Sequence, residues 1–461
     1  MYRKNAWKDC SEQKKTEVFA FAEQYKGFLS DCKTERECVT YMVEEIQRYG
    51  YRDLQEVLKQ KGGIKPQDKL YVNWMGKALM MFHIGERGVD EGMNILGAHI
   101  DSPRIDLKQN PLYESEELAM LDTHYYGGVK KYQWLALPLA LHGVVAKKDG
   151  SLVEVRIGEK PEDPVLGLSD LLIHLSADQL DKKARVVVEG ETLNVLIGSI
   201  PAADTDQDAV KANILQLLKE CYGMEEEDFV SAELEIVPAG AARDYGLDRS
   251  MVMGYGHDDR ICAFPSYRAL LAVEQAEYTN VCLLVDKEEI GSVGATGMTS
   301  RIFENTVAEI LFAMGKKEDI YVRRALQRSV MLSSDVSAAF DPNFPEVMEK
   351  KNSAFFGYGM TFNKYTGSRG KAGSNDANAE YMARLRRVMD EKNIAYQTAE
   401  LGKVDQGGGG TIAYILAEYG MEVIDSGVAV LNMHAPWEIA SKIDLYETYR
   451  GYVAFLQSIR Q

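Results

Sequence analysis

Patterned thiols, long apolar runs and an excess of positive charge are all missing from this sequence. Its six cysteines (Cys10, Cys32, Cys38, Cys221, Cys262 and Cys282) nowhere form a CxxC pair, which argues against a zinc ribbon or a disulfide frame and for reduced, mostly buried thiols. No apolar run approaches the ~20 residues of a bilayer span, so no membrane partner is expected. The start, MYRKNAWKDCSEQKK, lacks the apolar stretch of a secretion signal, and the expected location is cytoplasmic. Lys and Arg number 53 against 70 Asp and Glu, a formal charge of -17. That balance argues against a nucleic-acid partner, whose affinity comes from basic groups meeting phosphates. Internal repeats and low-complexity tracts are also absent, which excludes a solenoid or a linker-rich chain.

What is present is a globular composition, 46% hydrophobic and 27% charged over 461 residues, too long for one ordinary core. Residues 14–29 carry Val18, Phe19, Phe21, Ala22 and Tyr25 as a broad stripe and predict a helix. A second helix follows Thr34, where Thr34 and Glu37 fit a capping box and Cys38, Val39, Met42, Val43 and Ile46 recur at helical spacing. Residues 69–73 and 78–84 read as paired strands, and 93–100 as a buried strand ending in His99-Ile100-Asp101. From Ser102 onward turn signals multiply and residues alternate, as at 153–157 and 184–188, with one acidic helical patch at 206–227. Beyond Asp244 strands and helices alternate again, with strands at 251–256, 281–285, 329–333 and 427–432. Helices are expected at 261–275, 300–314, 374–392, 411–419 and 441–457. The order predicts an α/β protein with a mixed central sheet flanked by helices: residues 1–102 and 247–461 form one domain, interrupted by a mainly β domain at 103–246.

The segment VCLLVDKEEIGSVGATG (281–297) is the centre of the functional reading. An apolar strand drives into the interior and stops on Asp286, Lys287, Glu288 and Glu289, at the kind of strand end where ligands bind. Adjacent carboxylates repel unless a cation or a shared proton relieves them; a solvated acidic turn is the plain alternative. The wider set is His99 and Asp101, Asp258, Glu288 and Glu289, Asp335, and His434, most of them just after a strand-like run. Singly, His99 reads as a core histidine, Asp258 and Asp335 as helix caps, and His434 as a turn residue. Jointly, imidazole and carboxylate without thiolate suit zinc, with Co2+ or Mn2+ as substitutes, and two ions can share a carboxylate. Asp101, two residues from His99 on a strand, faces the same side and can orient it. On an extended backbone Glu288 and Glu289 face opposite ways, so that one can bind metal and the other serve as base.

Five segments in order, GAHIDSPR (97–104), GHDDR (256–260), DKEEIGS (286–292), SSDVSAAFDPNFPE (333–346) and VLNMHAPWE (430–438), resemble the metal-site segments of the aspartyl aminopeptidase and aminopeptidase I family of dizinc exopeptidases. The resemblance covers nearly the whole chain. By position it implies that Asp258 bridges two zinc ions per subunit, that His99 and Asp335 hold one and Glu289 and His434 the other, and that Glu288 is the general base, with Asp101 orienting His99. It also implies peptide substrates, a β-rich dimerisation domain, a homo-oligomer built from dimers up to a tetrahedral dodecamer, and a histidine, here His174, that enters a neighbouring subunit's site. Two features depart from the aspartyl branch. Asp259-Arg260, preceded by His257, stands where Asn commonly follows the bridging residue, and the run Gly407 to Gly410 replaces a less flexible sequence. Preference for an acidic or a neutral N-terminal residue is therefore open. A related dimetal carboxypeptidase or deacylase, and a non-catalytic assembly with a structural metal, are the competing functions. A carboxylate-pair glycosidase is disfavoured, because adjacent Glu288 and Glu289 cannot flank a sugar bond from opposite faces.

Overall fold

The computed structural model describes residues 4–60 and 62–460. The chain folds into two compact units, one of Met1–Asp101, Ala242–Met433 and Glu438–Gln461, the other of Ser102–Ala241 and His434–Trp437.

The first unit is organised on a nine-stranded sheet in the order Arg52–Asp53, Lys69–Trp74, Ala78–His83, Thr279–Val285, Met93–His99, Val330–Ser333, Glu422–Gly427, Met360–Asn363, Tyr396–Thr398. The middle strands Thr279–Val285, Met93–His99, Val330–Ser333 and Glu422–Gly427 run parallel. The first three read as nearly unbroken apolar runs because helices cover both faces of the sheet. Alternate residues feed two cores. Leu96, Cys282, Leu284, Leu332 and Ile424 pack with Cys38, Met42, Phe264, Tyr267, Leu385 and Phe455 on one side. Ile95, Val281, Leu283, Met331 and Val423 pack with Phe303, Val307, Leu326 and Leu416 on the other. A five-stranded sheet in the order Arg243–Tyr245, Met251–Gly254, Glu438–Ser441, Ala429–Leu431, Ser337–Ala338 completes this unit.

The N-terminal helices are Glu12–Asp31 and Glu35–Arg48, the second entered through the expected capping box, with Thr34 accepting from the Glu37 N–H at 3.2 Å and Glu37 from the Thr34 N–H at 3.0 Å. The second unit is a six-stranded sheet in the order Leu152–Ile157, Leu139–Ala146, Ala232–Pro238, Arg104–Ser115, Leu118–Tyr126, Val195–Gly198, with antiparallel neighbours.

Some local expectations fail. Residues 184–188 alternate like a strand but form the short 3-10 turn Ala184–Val186, because no strand among the described residues pairs with them to take up their backbone groups. The helix expected over 374–392 starts only at Ala379, since Ser374, Asn375 and Asp376 favour turns. The helix Asp319–Gln327 is missed although its buried Val322, Ala325 and Leu326 recur at helical spacing; the strands Glu422–Gly427 and Glu438–Ser441 hold too few apolar residues to stand out as runs.

Candidate metal centre

Three parallel strands end at one edge of the central sheet and deliver polar groups there. His99 is the last residue of Met93–His99. Glu288 and Glu289 follow Thr279–Val285, and Asp335 lies two residues beyond Val330–Ser333. Asp258 arrives differently, from the strand Met251–Gly254 of the smaller sheet. It precedes a buried helix, but Asp258 and Asp259 both have non-helical backbone angles, so the regular helix starts only after them.

Within the first unit, ligand atoms of His99, Asp258 and Asp335 lie within 4.8 Å of one another, as do those of His99, Glu288 and Glu289. His99 is 1% exposed. Its Nδ1 lies 3.0 Å from the Asp101 carbonyl and 3.3 Å from the Asp101 carboxylate, both acceptors, so Nδ1 carries the hydrogen. The lone pair then falls on Nε2, which is buried without a hydrogen bond and stands 3.2 Å from Asp258 Oδ1 and 3.9 Å from Glu288 Oε2. A nitrogen lone pair directed at carboxylate oxygens is repulsive unless a cation or an extra proton sits between them. Imidazole and carboxylate are the donors zinc takes in hydrolytic sites, and this set fits it.

The electrostatics point the same way. Burial alone would lower the His99 pKa, but the Asp101 and Asp258 carboxylates outweigh it and raise it well above the ordinary value. Burial, reinforced by neighbouring Asp259, raises Asp335 well above the carboxylate range. Burial does the same to Asp259, against the pull of His99.

Glu288 and Glu289 do not lie on extended backbone, as their alternating roles would suggest. They form a 3-10 turn, Glu288–Ile290, entered through Lys287 at φ 70° and left through Gly291 at φ 97°. A left-handed residue on each side lets the chain fold the two carboxylates back over the sheet edge. Asp101 secures that turn: its Oδ1 accepts the Glu288 N–H and its Oδ2 the Glu289 N–H, each at 3.2 Å. One carboxylate thus grips the histidine and the glutamate pair together.

His434 belongs to the second unit. There its Nδ1 lies 2.9 Å from the Gly128 carbonyl, which puts the hydrogen on Nδ1 and makes Nε2 the acceptor nitrogen. His174 also lies in the second unit, on the exposed turn Ile173–Leu175. Of the glycine run, Gly407 and Gly408 are required by close approach. A Cβ at Gly407 would come within 2.8 Å of the Leu401 carbonyl carbon, and one at Gly408 within 2.6 Å of Ser368 Cα, whereas Gly409 and Gly410 have open space around them.

Reasoning from sequence missed Asp425. It is fully buried on Glu422–Gly427, in register with Ser333. Burial pushes its pKa up to about 7, against the Thr411 and Ser333 hydroxyls. The signal was available, since VID ends an apolar run on an acid much as GAH ends one on a histidine.

The profile of the Aminopeptidase I zinc metalloprotease (M18) family matches residues 28–456. The probable M18 family aminopeptidase 1 of Clostridium acetobutylicum is 62% identical over 456 residues, 99% of this chain and 98% of that protein. The crystal structure of aminopeptidase I from the same organism superposes with a TM-score of 0.92 at 60% identity, covering 99% of this chain and 100% of that one. The M18 aminopeptidase of Thermotoga maritima reaches 0.95 at 44% identity, again over 99% and 100%. More distantly, the S. cerevesiae mApe1 dodecamer shares the fold, with a TM-score of 0.75 at 20% identity over 94% of this chain and 95% of that one. With a family match over nearly its full length and a donor set that fits the metal, this chain belongs to the aminopeptidase I (M18) family and is a zinc aminopeptidase.

Proposed function

We propose that the chain removes the N-terminal residue, acidic or neutral, from peptides at a site holding two zinc ions, for which Co2+ or Mn2+ can substitute. By the resemblance of their segments, Asp258 would serve both ions, His99 and Asp335 would hold one, and Glu289 and His434 would hold the other. The observation that carries this reading is the buried His99 Nε2 facing Asp258 Oδ1 at 3.2 Å without a hydrogen bond. Two overlapping groups of possible donors, His99 with Asp258 and Asp335 and His99 with Glu288 and Glu289, share that imidazole. His434 enters the set through the resemblance of its segment, and its tautomer is the one a metal ligand needs.

Bound zinc supplies Lewis acidity, which polarises the scissile carbonyl and brings the pKa of a water towards neutrality. Glu288 accepts a proton from the attacking water and returns it to the departing amine. Its side chain is 18% exposed against 5% for Asp258, as suits a base that must meet water. Asp101 keeps the base in place through the Glu288 N–H and fixes the ring of His99 through Nδ1.

The protein acts in the cytoplasm as a homo-oligomer built from dimers through the β-rich unit, up to a tetrahedral dodecamer, with His174 entering a neighbour's site. Support comes from the apolar ridge around His174, where Leu172 is 53% exposed and Ile173 and Leu175 are each 69% exposed. An exposed ridge of this kind marks a protein contact. The distant S. cerevesiae relative with this fold is itself a dodecamer.

The test is hydrolysis of aminoacyl-nitroanilides and short peptides, free and N-acetylated, after chelation and after return of zinc, cobalt or manganese. Activity that returns with metal and only on free amines is the expected result, and the panel reads out the acidic or neutral preference. Equal cleavage of acetylated substrates would favour the deacylase or carboxypeptidase reading. Metal binding without hydrolysis would favour a non-catalytic assembly.

A further inference from the structure

The segment around Asp258 is held from three directions by groups far away in sequence. On its N-terminal side, His257 is fully buried, with Nε2 3.2 Å from the Val252 carbonyl and Nδ1 2.8 Å from the Tyr25 hydroxyl. A carbonyl only accepts, so Nε2 carries the hydrogen and Nδ1 takes the Tyr25 O–H. Both ring nitrogens are thereby committed and the imidazole has one orientation. At Asp258 itself the backbone N–H donates to Glu438 Oε2 at 3.0 Å. On the C-terminal side the buried Arg260 donates from Nη2 to the Lys33 carbonyl at 2.8 Å. Tyr25 lies on the helix Glu12–Asp31 and Lys33 just beyond its end, so two of the three anchors come from the N-terminal helix and the residues that leave it.

We infer that Tyr25 is a positioning residue for the metal centre: through His257 it fixes the backbone from which Asp258 projects. The first helix would serve only as a lid on the core if packing were its whole task, and the Tyr25 ring does pack on Phe264 at 5.4 Å between centroids. Packing does not call for the hydroxyl. That hydroxyl is spent on a histidine that occupies the position immediately before the bridging carboxylate. Asp258 has no regular helix to hold its backbone at this point. A metal ligand displaced by about 0.5 Å is already outside the tolerance of a productive site, so its orientation must come from the neighbours on either side.

The inference rests on Asp258 being a ligand, and the experiment separates the two claims. Zinc affinity of the full-length protein is measured by competition with a chelating dye, with unfolding of the metal-free protein followed in parallel. Asp258→Asn reports on the ligand assignment. Tyr25→Phe keeps the ring and removes the hydroxyl, and it is expected to weaken zinc binding about 10- to 100-fold, as loss of an outer-shell partner does. Two substitutions of His257 divide its contacts. His257→Asn keeps an oxygen near the Nδ1 position to accept from Tyr25, while His257→Gln keeps an N–H near the Nε2 position to donate to Val252. The first should stay nearer the wild-type affinity, and the second should resemble Tyr25→Phe. If Tyr25→Phe fails to fold, the two His257 variants still decide the matter. Zinc affinity within about twofold of wild type in Tyr25→Phe, or a His257→Gln protein that binds zinc as well as wild type, overturns the inference while leaving the ligand assignment intact. Unchanged affinity in Asp258→Asn overturns the ligand assignment itself.

Discussion

Gly427→Ala should damage the metal centre without replacing a ligand. Gly427 ends the strand Glu422–Gly427, and a Cβ there would come to 2.8 Å from the Asp335 carbonyl carbon and 2.7 Å from Cys262 Sγ, with the Asp335 oxygen closer still. Ordinary contact begins near 3.4 Å, so the Asp335 backbone must yield by about 0.6 Å or more, beyond the ~0.5 Å a preorganised site tolerates. Overpacking of this kind costs about 1–3 kcal/mol of stability. Since a displacement of ~1 Å can cost on the order of 10²-fold in rate, we expect kcat/KM to fall about 10- to 100-fold. The assay pairs nitroanilide hydrolysis with urea unfolding of the same preparation. Gly409→Ala is the matched control: a Cβ there meets nothing, and the change should leave stability within about 1 kcal/mol. A Gly427→Ala enzyme with kcat/KM within about twofold of wild type would refute the argument, because Asp335 would then tolerate the displacement.

Glu288→Gln should lower kcat by about 10²-fold or more while the protein retains its zinc, measured by metal analysis after gel filtration, because a base is removed and no carboxylate in the His99, Asp258 and Asp335 cluster is. Asp425→Asn should change the pH dependence of stability. The folded-state pKa of Asp425 is raised from 3.8 to about 7, so between those values the folded state binds more protons than the unfolded one and stability falls as pH rises. An amide does not titrate, so in the metal-free protein the variant should gain on wild type between about pH 4 and pH 7, by at most about 4 kcal/mol, as read by unfolding at several pH values. A difference that does not change with pH would show that Asp425 is ionised throughout.

The central sheet was legible because its middle strands are buried on both faces and therefore spell themselves out as apolar runs: VCLLV and MNILGA need no alternation to be recognised. The ends of those runs were equally legible, and the fold gathers His99, Glu288 and Asp335 at one edge of the sheet. What sequence could not supply was the conformation past the strand ends. The turn of Glu288 and Glu289 is set by a left-handed Lys287, which no propensity would place there, and alternation was the wrong geometry for the pair. Nor could spacing connect Tyr25 to His257 across so long a stretch of chain. His257 looked like an oddity beside Asp258 because its partners lie on a helix and a strand that only the fold brings to it. Asp425 was passed over for a simpler reason: the apolar run it ends is only Val423 and Ile424, too brief to stand out.

Acids crowd this edge of the sheet at a cost that a metal would relieve. Asp101, Asp259 and His99 are essentially inaccessible, and Asp258 and Asp335 nearly so, yet each must be accommodated in a medium that penalises charge. Burial drives Asp259 and Asp335 towards their neutral forms, while the surrounding carboxylates hold a proton on His99. Added protons would relieve the repulsion among these acids when no cation is bound, and a divalent cation held by these residues would relieve it instead by attracting the acids to a common centre. An ion that binds the folded chain and not the unfolded one stabilises it by about 2.7 kcal/mol at 100 times its dissociation constant. Returning zinc to the chelated protein should therefore raise its unfolding midpoint in proportion to the logarithm of free zinc, and Asp258→Asn should abolish most of that rise. A midpoint that ignores zinc would mean that the acids are balanced by some other means and that His99 is turned towards Asp258 for the sake of a proton alone.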